Sequence, residues 1–289
     1  MLVKDVADEY MNSLDYISLR EETKKHYSRM MKYLFSTIGN VSVNKLSTKQ
    51  CKQSYDMWCE RGVSLANHIL GVSNVVLNYG VRMEHVKVNP FASVRRRSVR
   101  NRKVIWSKDN VTDLLNVAYS DFKWRNLGLI AHMAYEWCQR IGDMRLLTWD
   151  SICFNKQRCT IEQSKRRAEV FLPISDDLMD MLVQQHDDFG FQKFIAPRPN
   201  PIKGVYQPYT MYKMSHFARL LIREANLPDD LRFSDLRRTG TTEMVEAGVG
   251  IAQIMSVTGH ANPQSVKPYI KNTYDSANYA LTARRNRDI

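Results

Sequence analysis

The sequence has no apolar run approaching the roughly 20 residues needed to span a bilayer, which excludes a membrane-spanning helix. Its first residues, Met1-Leu-Val-Lys-Asp-Val-Ala-Asp-Glu9, are too acidic and too mixed for a signal peptide, so the expected compartment is the cytoplasm. Cysteine is scarce: Cys51, Cys59, Cys138, Cys153 and Cys159 are odd in number and form no CxxC pair. They fit reduced, mostly buried thiols better than disulfides or a zinc site. The 7 histidines are scattered, without HExxH or mixed His/Cys ligand spacing. The 12 glycines never gather into a phosphate-cradling loop. Neither a metal nor a nucleotide cofactor is expected.

Negative charge is also in short supply. Against 42 Lys and Arg stand 30 Asp and Glu, a formal net charge of +12, which points to a polyanionic partner. Residues 1–93 carry 12 basic and 9 acidic side chains, and residues 106–289 carry 24 and 21. The remaining six are all basic: Arg95, Arg96, Arg97, Arg100, Arg102 and Lys103, in a stretch with no acidic residue. Such a run reads either as a solvated linker or as a strap laid over phosphates. Its place between two folded units favours the strap.

At 289 residues the chain suits two domains. Residues 1–93 read as a helical unit. Val6, Tyr10, Leu14 and Ile17 repeat at helical spacing, as do Tyr27, Met30, Met31, Leu34 and Ile38 up to Gly39. Ser47-Thr48 and Ser64 open two further helices, and Asn89-Pro90 closes the unit. Residues 94–105 form the basic linker. From Trp106 to Ile289 the pattern is again mainly helical, with strand candidates at Cys159–Gln163 and Val170–Pro173 flanking a turn at Ser164–Ala168. The expected fold is mainly α with a small antiparallel β-sheet.

Four motifs carry chemistry. Arg140-Ile-Gly-Asp143-Met-Arg-Leu-Leu-Thr-Trp149 holds one arginine, and Ser234-Asp-Leu-Arg237 holds a second. Thr258-Gly-His260 and Lys267-Pro-Tyr269 follow. Phosphoryl transfer needs charge stabilisation on the non-bridging oxygens, an in-line nucleophile and a proton for the leaving oxygen. Arginine suits the first task, because its planar fork donates two hydrogen bonds to phosphate and stays charged. A tyrosine is a candidate nucleophile, although its phenol, with a pKa of about 10, needs help losing its proton.

This ordered set resembles the tyrosine recombinases, the phage integrase and Xer family. Arg140 and its neighbours match the family's Arg-Ile-x-Glu-x-x-x-Leu-x-Trp pattern, with Asp143 in the acidic position as support for an arginine or as a helix cap. Thr258-Gly-His260 matches Leu-Gly-His apart from Thr258. Tyr269 falls at the family spacing after His260 and is preferred to Tyr274 and Tyr279. The resemblance implies that Tyr269 attacks the scissile phosphate, that Arg140, Arg237 and His260 bind it, and that Lys165, on the expected turn, protonates the departing 5′-oxygen. Ser234 departs from the usual His-x-x-Arg: a serine hydroxyl hydrogen-bonds a phosphate but does not accept a proton at neutral pH. Pro268, directly before Tyr269, predicts a bent or loop-like segment.

By the same resemblance, residues 1–93 are a core-binding domain and residues 106–289 a catalytic domain, the two closing as a C-shaped clamp on duplex DNA. Four protomers would join two attachment sites through a Holliday junction, without metal or ATP, with weaker association off DNA. The tail ending Ala283-Arg-Arg-Asn-Arg-Asp-Ile289 would dock onto a neighbouring subunit. Accessory DNA-bending or directionality proteins are possible partners. An Xer-type resolvase, a type IB topoisomerase and a non-catalytic DNA-binding regulator stay open as alternatives.

Overall fold

Asn12 and Ser13 end the first helix before its apolar spacing runs out. The Asn12 amide donates to Asp8 O (2.9 Å) and the Ser13 hydroxyl to Tyr10 O (2.6 Å), so both side chains compete for the carbonyls of the last turn. Helix α1 therefore spans Val3–Met11, and a separate turn of helix, α2, spans Leu14–Ile17. This corrects the sequence reading: Leu14 and Ile17 are 82% and 54% exposed and lie outside the core. Helices α3 (Glu21–Ile38), α4 (Thr48–Glu60) and α5 (Val63–Arg82) complete the first bundle. The α4 start is a capping box, in which Ser47 and Gln50 satisfy each other's backbone N–H. Helix α5 begins one residue before Ser64, after Gly62, whose φ of 127° only glycine adopts freely. The core of this bundle includes Leu34, Tyr55, Trp58, Leu70 and Phe91.

This computed structural model describes residues 1–100, 102–164, 167–270 and 274–285, and it divides into two units, Met1–Arg102 and Lys103–Ile289. Much of the basic segment is held by the first unit. Val94 is buried in its core. The Arg97 N–H donates to the Tyr55 hydroxyl (2.6 Å), its carbonyl accepts from Asn67 (2.9 Å), and its guanidinium pairs with Asp56 (2.9 Å). A Cβ on Gly71 would lie 3.1 Å from the Arg96 guanidinium, so the segment runs close along α5. Arg95, Arg96, Arg97 and Arg100 are exposed. Stretch 94–105 is thus not a free linker throughout: it is anchored at Val94 and Arg97, and again at Val104, which packs on the second core.

The second unit is built on helices α6 (Lys108–Ser120), capped by Ser107, and α7 (Phe122–Glu136). Then come the single turn α8 (Ile141–Met144) and an antiparallel sheet, β1 (Ile152–Cys153), β2 (Arg158–Glu162) and β3 (Glu169–Pro173), in that order. Cys159, Ile161, Val170 and Leu172 point into the core, while Phe171, opposite Thr160, faces out. Strand β1 is too short to give a period-2 signal in sequence. Helices α9 (Asp176–Phe189), α10 (Met211–Glu224), α11 (Leu236–Glu246), α12 (Ile251–Thr258) and α13 (Tyr274–Arg285) follow. Trp106 ties the start of this unit to α11: its N–H donates to Thr239 (3.0 Å) and its indole to Arg232 O (3.1 Å). Among the described residues, no helix is long and apolar enough to cross a membrane.

Candidate active site

Arg140 owes its position to a reversal of the chain. After α7, Cys138 takes a φ of 50°, and Gln139 N–H returns to Ala134 O (3.1 Å). Arg140 then stands in extended conformation at the start of α8, released from the helix that led to it. Helix α11 approaches this corner closely: a Cβ on Gly240 would lie 2.7 Å from both the Cys138 sulfur and Tyr135 O. Only glycine admits that approach.

Arg237 lies in the first turn of α11 and is 8% exposed. Its Nη2 donates to Thr258 O (2.8 Å) and lies 3.1 Å from His260 Nε2. Nη1 is buried and has no hydrogen-bond partner among the described residues. Burial first, then the like charge of Arg140, lowers the Arg237 pKa, while Tyr269 acts in the opposite sense. A guanidinium remains charged under those conditions.

His260 follows directly on the end of α12. The chain leaves that helix through Gly259, at a φ of 67°, where a Cβ would come within 2.5 Å of Gln163 Nε2. His260 Nδ1 is 2.7 Å from the Thr258 hydroxyl. Tyr269 ends a 3-10 turn, Lys267–Tyr269, and Pro268 sits within its first two positions, where a missing N–H breaks no helical bond. The Tyr269 ring centroid is 6.0 Å from that of His260 in the same chain, with the Arg238 guanidinium 5.5 Å over the phenol ring.

Two buried glutamines join these pieces. Gln163, wholly buried just beyond β2, accepts from Arg140 Nη1 through Oε1 (3.0 Å). Its Nε2 donates to Thr258 O (2.7 Å) and to Gln139 Oε1 (2.6 Å). Gln139 Nε2 in turn donates to Val257 O (2.6 Å) and Trp137 O (2.8 Å). An amide both donates and accepts, so it links two cations without neutralising either. Sequence reasoning did not single out Gln139 or Gln163 as site residues and treated Thr258 as a mild departure. The only local hint was polarity, a glutamine and a threonine flanking apolar runs.

Asp143, 6% exposed, accepts from the Ser164 N–H (3.4 Å) and the Ser164 hydroxyl through Oδ1, and its Oδ2 is 3.7 Å from Arg140 Nη1. It thus secures the start of the β2–β3 turn as well as leaning on the arginine. Lys165, next in sequence, lies outside the described residues, as do Arg166, the side chains of Tyr274 and Tyr279, and the tail beyond Arg285. Ser234 is exposed in the 3-10 turn Phe233–Asp235 and opens onto a cavity of about 210 Å³ beside Arg219 and Arg232. The geometry therefore gathers Arg140, Arg237, His260 and Tyr269 from four separate elements. Arg95, Arg96, Arg97, Arg100 and Arg102 belong to the other unit, and Lys103 begins this one.

A sequence model described as the phage integrase family matches residues 106–276. No curated protein sequence matches the chain. Among solved structures, the fold is similar to that of a lambda integrase dimer bound to a COC′ core site, at 17% identity and a TM-score of 0.80, over 95% of this chain and 97% of that one. It is similar to the Tn1549 transposon integrase in complex with transposon right end DNA, at 16% identity and a TM-score of 0.80, over 98% and 99%. A lambda integrase tetramer bound to a Holliday junction aligns at 17% identity and a TM-score of 0.76, over 94% and 78%. Because the family match spans more than half the chain and takes in Arg140, Arg237, His260 and Tyr269 together, the chain belongs to the phage integrase family of tyrosine recombinases.

Proposed function

We propose that this protein is a site-specific recombinase of the integrase type, which cleaves and rejoins duplex DNA at a pair of attachment sites through a 3′-phosphotyrosyl bond to Tyr269. One observation carries this reading. Arg237 Nη1 is buried with no partner among the described residues, on a cation placed between His260 and the link to Arg140. A buried donor without an acceptor is costly, and a phosphate oxygen supplies one in the complex. In this reading Arg140 and Arg237 clamp the non-bridging oxygens of the scissile phosphate. Tyr269 Oη attacks phosphorus, the P–O5′ bond breaks, and Lys165 delivers the proton to the departing oxygen. Reversal by a 5′-hydroxyl reseals the strand, because the phosphotyrosine keeps the energy of the original ester.

The exposed arginines Arg95, Arg96 and Arg100 grip phosphates beside the core site, and Arg97 joins them only by giving up Asp56. Four protomers exchange strands in pairs through a Holliday junction, with the tail bridging neighbours. The protein acts in the cytoplasm, with accessory proteins setting direction.

The test is covalent trapping on fragmented genomic DNA, without added metal or ATP, comparing wild type with Tyr269→Phe. Denaturation-resistant adducts that share one sequence and vanish in the variant are the expected result. A shared sequence at the ends of a mobile element supports integration, whereas one chromosomal site supports dimer resolution. Adducts scattered without sequence preference would replace this reading with a topoisomerase-like activity, and specific footprints without adducts with a regulator.

A further inference from the structure

We infer that Thr258 is a positioning residue that locks His260 into one tautomer, and that His260 in that form is the base that removes the Tyr269 proton. The inference rests on the reading of Tyr269 as nucleophile and assigns to this chain a proton acceptor that Ser234 does not provide.

The hydrogen-bond count fixes the tautomer. Thr258 is wholly buried, and its hydroxyl has a single proton, which it donates to Ile254 O (2.7 Å), one helical turn back. Toward His260 Nδ1, 2.7 Å away, the same oxygen can therefore only accept. Nδ1 carries the ring proton. At the opposite side of the ring, Arg237 Nη2 lies 3.1 Å from Nε2, and a guanidinium only donates. Nε2 thus bears the lone pair. These two contacts impose the same assignment, so neutral His260 faces the site with a proton acceptor.

Thr258 is well placed to hold that arrangement. Its carbonyl accepts from both Arg237 and Gln163, so its backbone is pinned by the arginine link while its hydroxyl orients the ring. A leucine here would leave the Nδ1–H without this acceptor and let the proton sit on either nitrogen. Among the described residues, the charged and titratable groups around His260 include Arg237 and Arg238 on α11, Arg140 beyond Gln163, and Tyr269 on the following turn. The other three are guanidiniums, which keep their protons, so the Tyr269 phenol is the group from which a base at Nε2 would take one. Here Nε2 is engaged by Arg237. When a phosphate oxygen draws the Arg237 fork toward itself, Nε2 is released next to the phenol. The Tyr269 O–H bond then breaks as its oxygen attacks phosphorus, the proton passes to Nε2, and the imidazolium keeps its Nδ1–H on Thr258. Reversal returns the proton to the tyrosine oxygen.

Two measurements test this on the full chain. In the first, long-range proton–nitrogen correlation spectra are recorded on protein labelled with ¹⁵N-histidine, and His260 is assigned from the signal lost in His260→Asn. The wild type and Thr258→Ser should show Nδ1 protonated and Nε2 bare, and Thr258→Val should show a mixture. A wild-type proton on Nε2, or no change in Thr258→Val, would overturn the lock. In the second, adduct formation is timed at saturating fragmented genomic DNA. Thr258→Val should be slower by about ten-fold and Thr258→Ser by no more than about two-fold, with half-saturation unchanged. In a Ser234→His background, which supplies a second imidazole, the Thr258→Val loss should shrink to about two-fold. An undiminished loss there, or a loss that lies in half-saturation, would overturn the base assignment. Absence of adducts in the wild type would instead sink the nucleophile reading, while the spectra would still judge the lock.

Discussion

The two units bury different kinds of residue. Among the described residues, the first unit buries three polar side chains, Ser54, Ser73 and Asn89, whereas the second buries twelve, including Arg125, Gln139, Asp143, Gln163, Arg237 and Thr258. The first is a helical bundle around an apolar core, stabilised mainly by removing surface from water. The second carries a similar apolar core and, beside it, a polar lattice whose parts hold two guanidiniums in place. Buried cations oppose stability unless they are well paired. The comparison therefore separates a unit held by apolar burial from one that gives part of its interior to polar and charged groups.

The sharpest way to break that comparison is Arg237→Met. Adduct formation should fall by about 10³-fold, as for loss of a donor to the reacting oxygens. Thermal stability should hold or rise, because a desolvated cation is replaced by an apolar side chain of similar length. A substantially lower melting temperature would show that the arginine serves the fold. Next in size is Leu34→Ala, which removes a fully buried side chain from the first core and should cost about 3 kcal/mol. Urea titration should show the first unit's transition moving while the second stays in place. A joint shift would mean that the units unfold together.

Gly259→Ala should cost about 2 kcal/mol through its left-handed backbone, and the added methyl should also displace Gln163. Melting and adduct rate would fall together, unlike in Arg237→Met. The smallest effect concerns alkaline pH. Burial pushes the thiols of Cys51, Cys138 and Cys159 up to about 12. It also raises three phenols in each unit, Tyr10, Tyr55 and Tyr79 in the first and Tyr119, Tyr135 and Tyr209 in the second, so the thiols make the difference. Their protonated forms favour the folded state. That contribution is complete below the unfolded thiol value of about 8.5 and is lost as pH climbs toward the folded values. With two such thiols against one, the second unit's urea midpoint should drop further between about pH 8 and about pH 10. Equal drops would argue against the assigned burial.

Much of this was legible in the sequence where the signal is local. Ser47 and Ser107 cap helices as their spacing to the following amides requires, and Gly39 follows the end of α3. Arg140, Arg237, His260 and Tyr269 could be named because each sits in a short motif, although their convergence is a tertiary fact. Leu14 and Ile17 were misread because apolar spacing does not register two side chains bonding back to the helix. The glutamine bridge was hidden for a different reason: Gln139, Gln163 and Thr258 are ordinary residues whose meaning lies in partners up to 118 positions away. Strand β1 was too short to leave a periodic trace.

The neutral link between Arg140 and Arg237 has a thermodynamic corollary. Among the described residues no carboxylate pairs with Arg237, so no internal counter-ion must be expelled before an anion enters. Any small oxyanion that fits between the two forks should bind the native chain and not the unfolded one, and its concentration then sets the melting temperature by mass action. Sulfate or inorganic phosphate should raise the second unit's melting point in wild type and leave Arg237→Met unmoved. Melting temperature thereby reports how well an oxyanion fits between the two guanidinium forks, with heat as the readout.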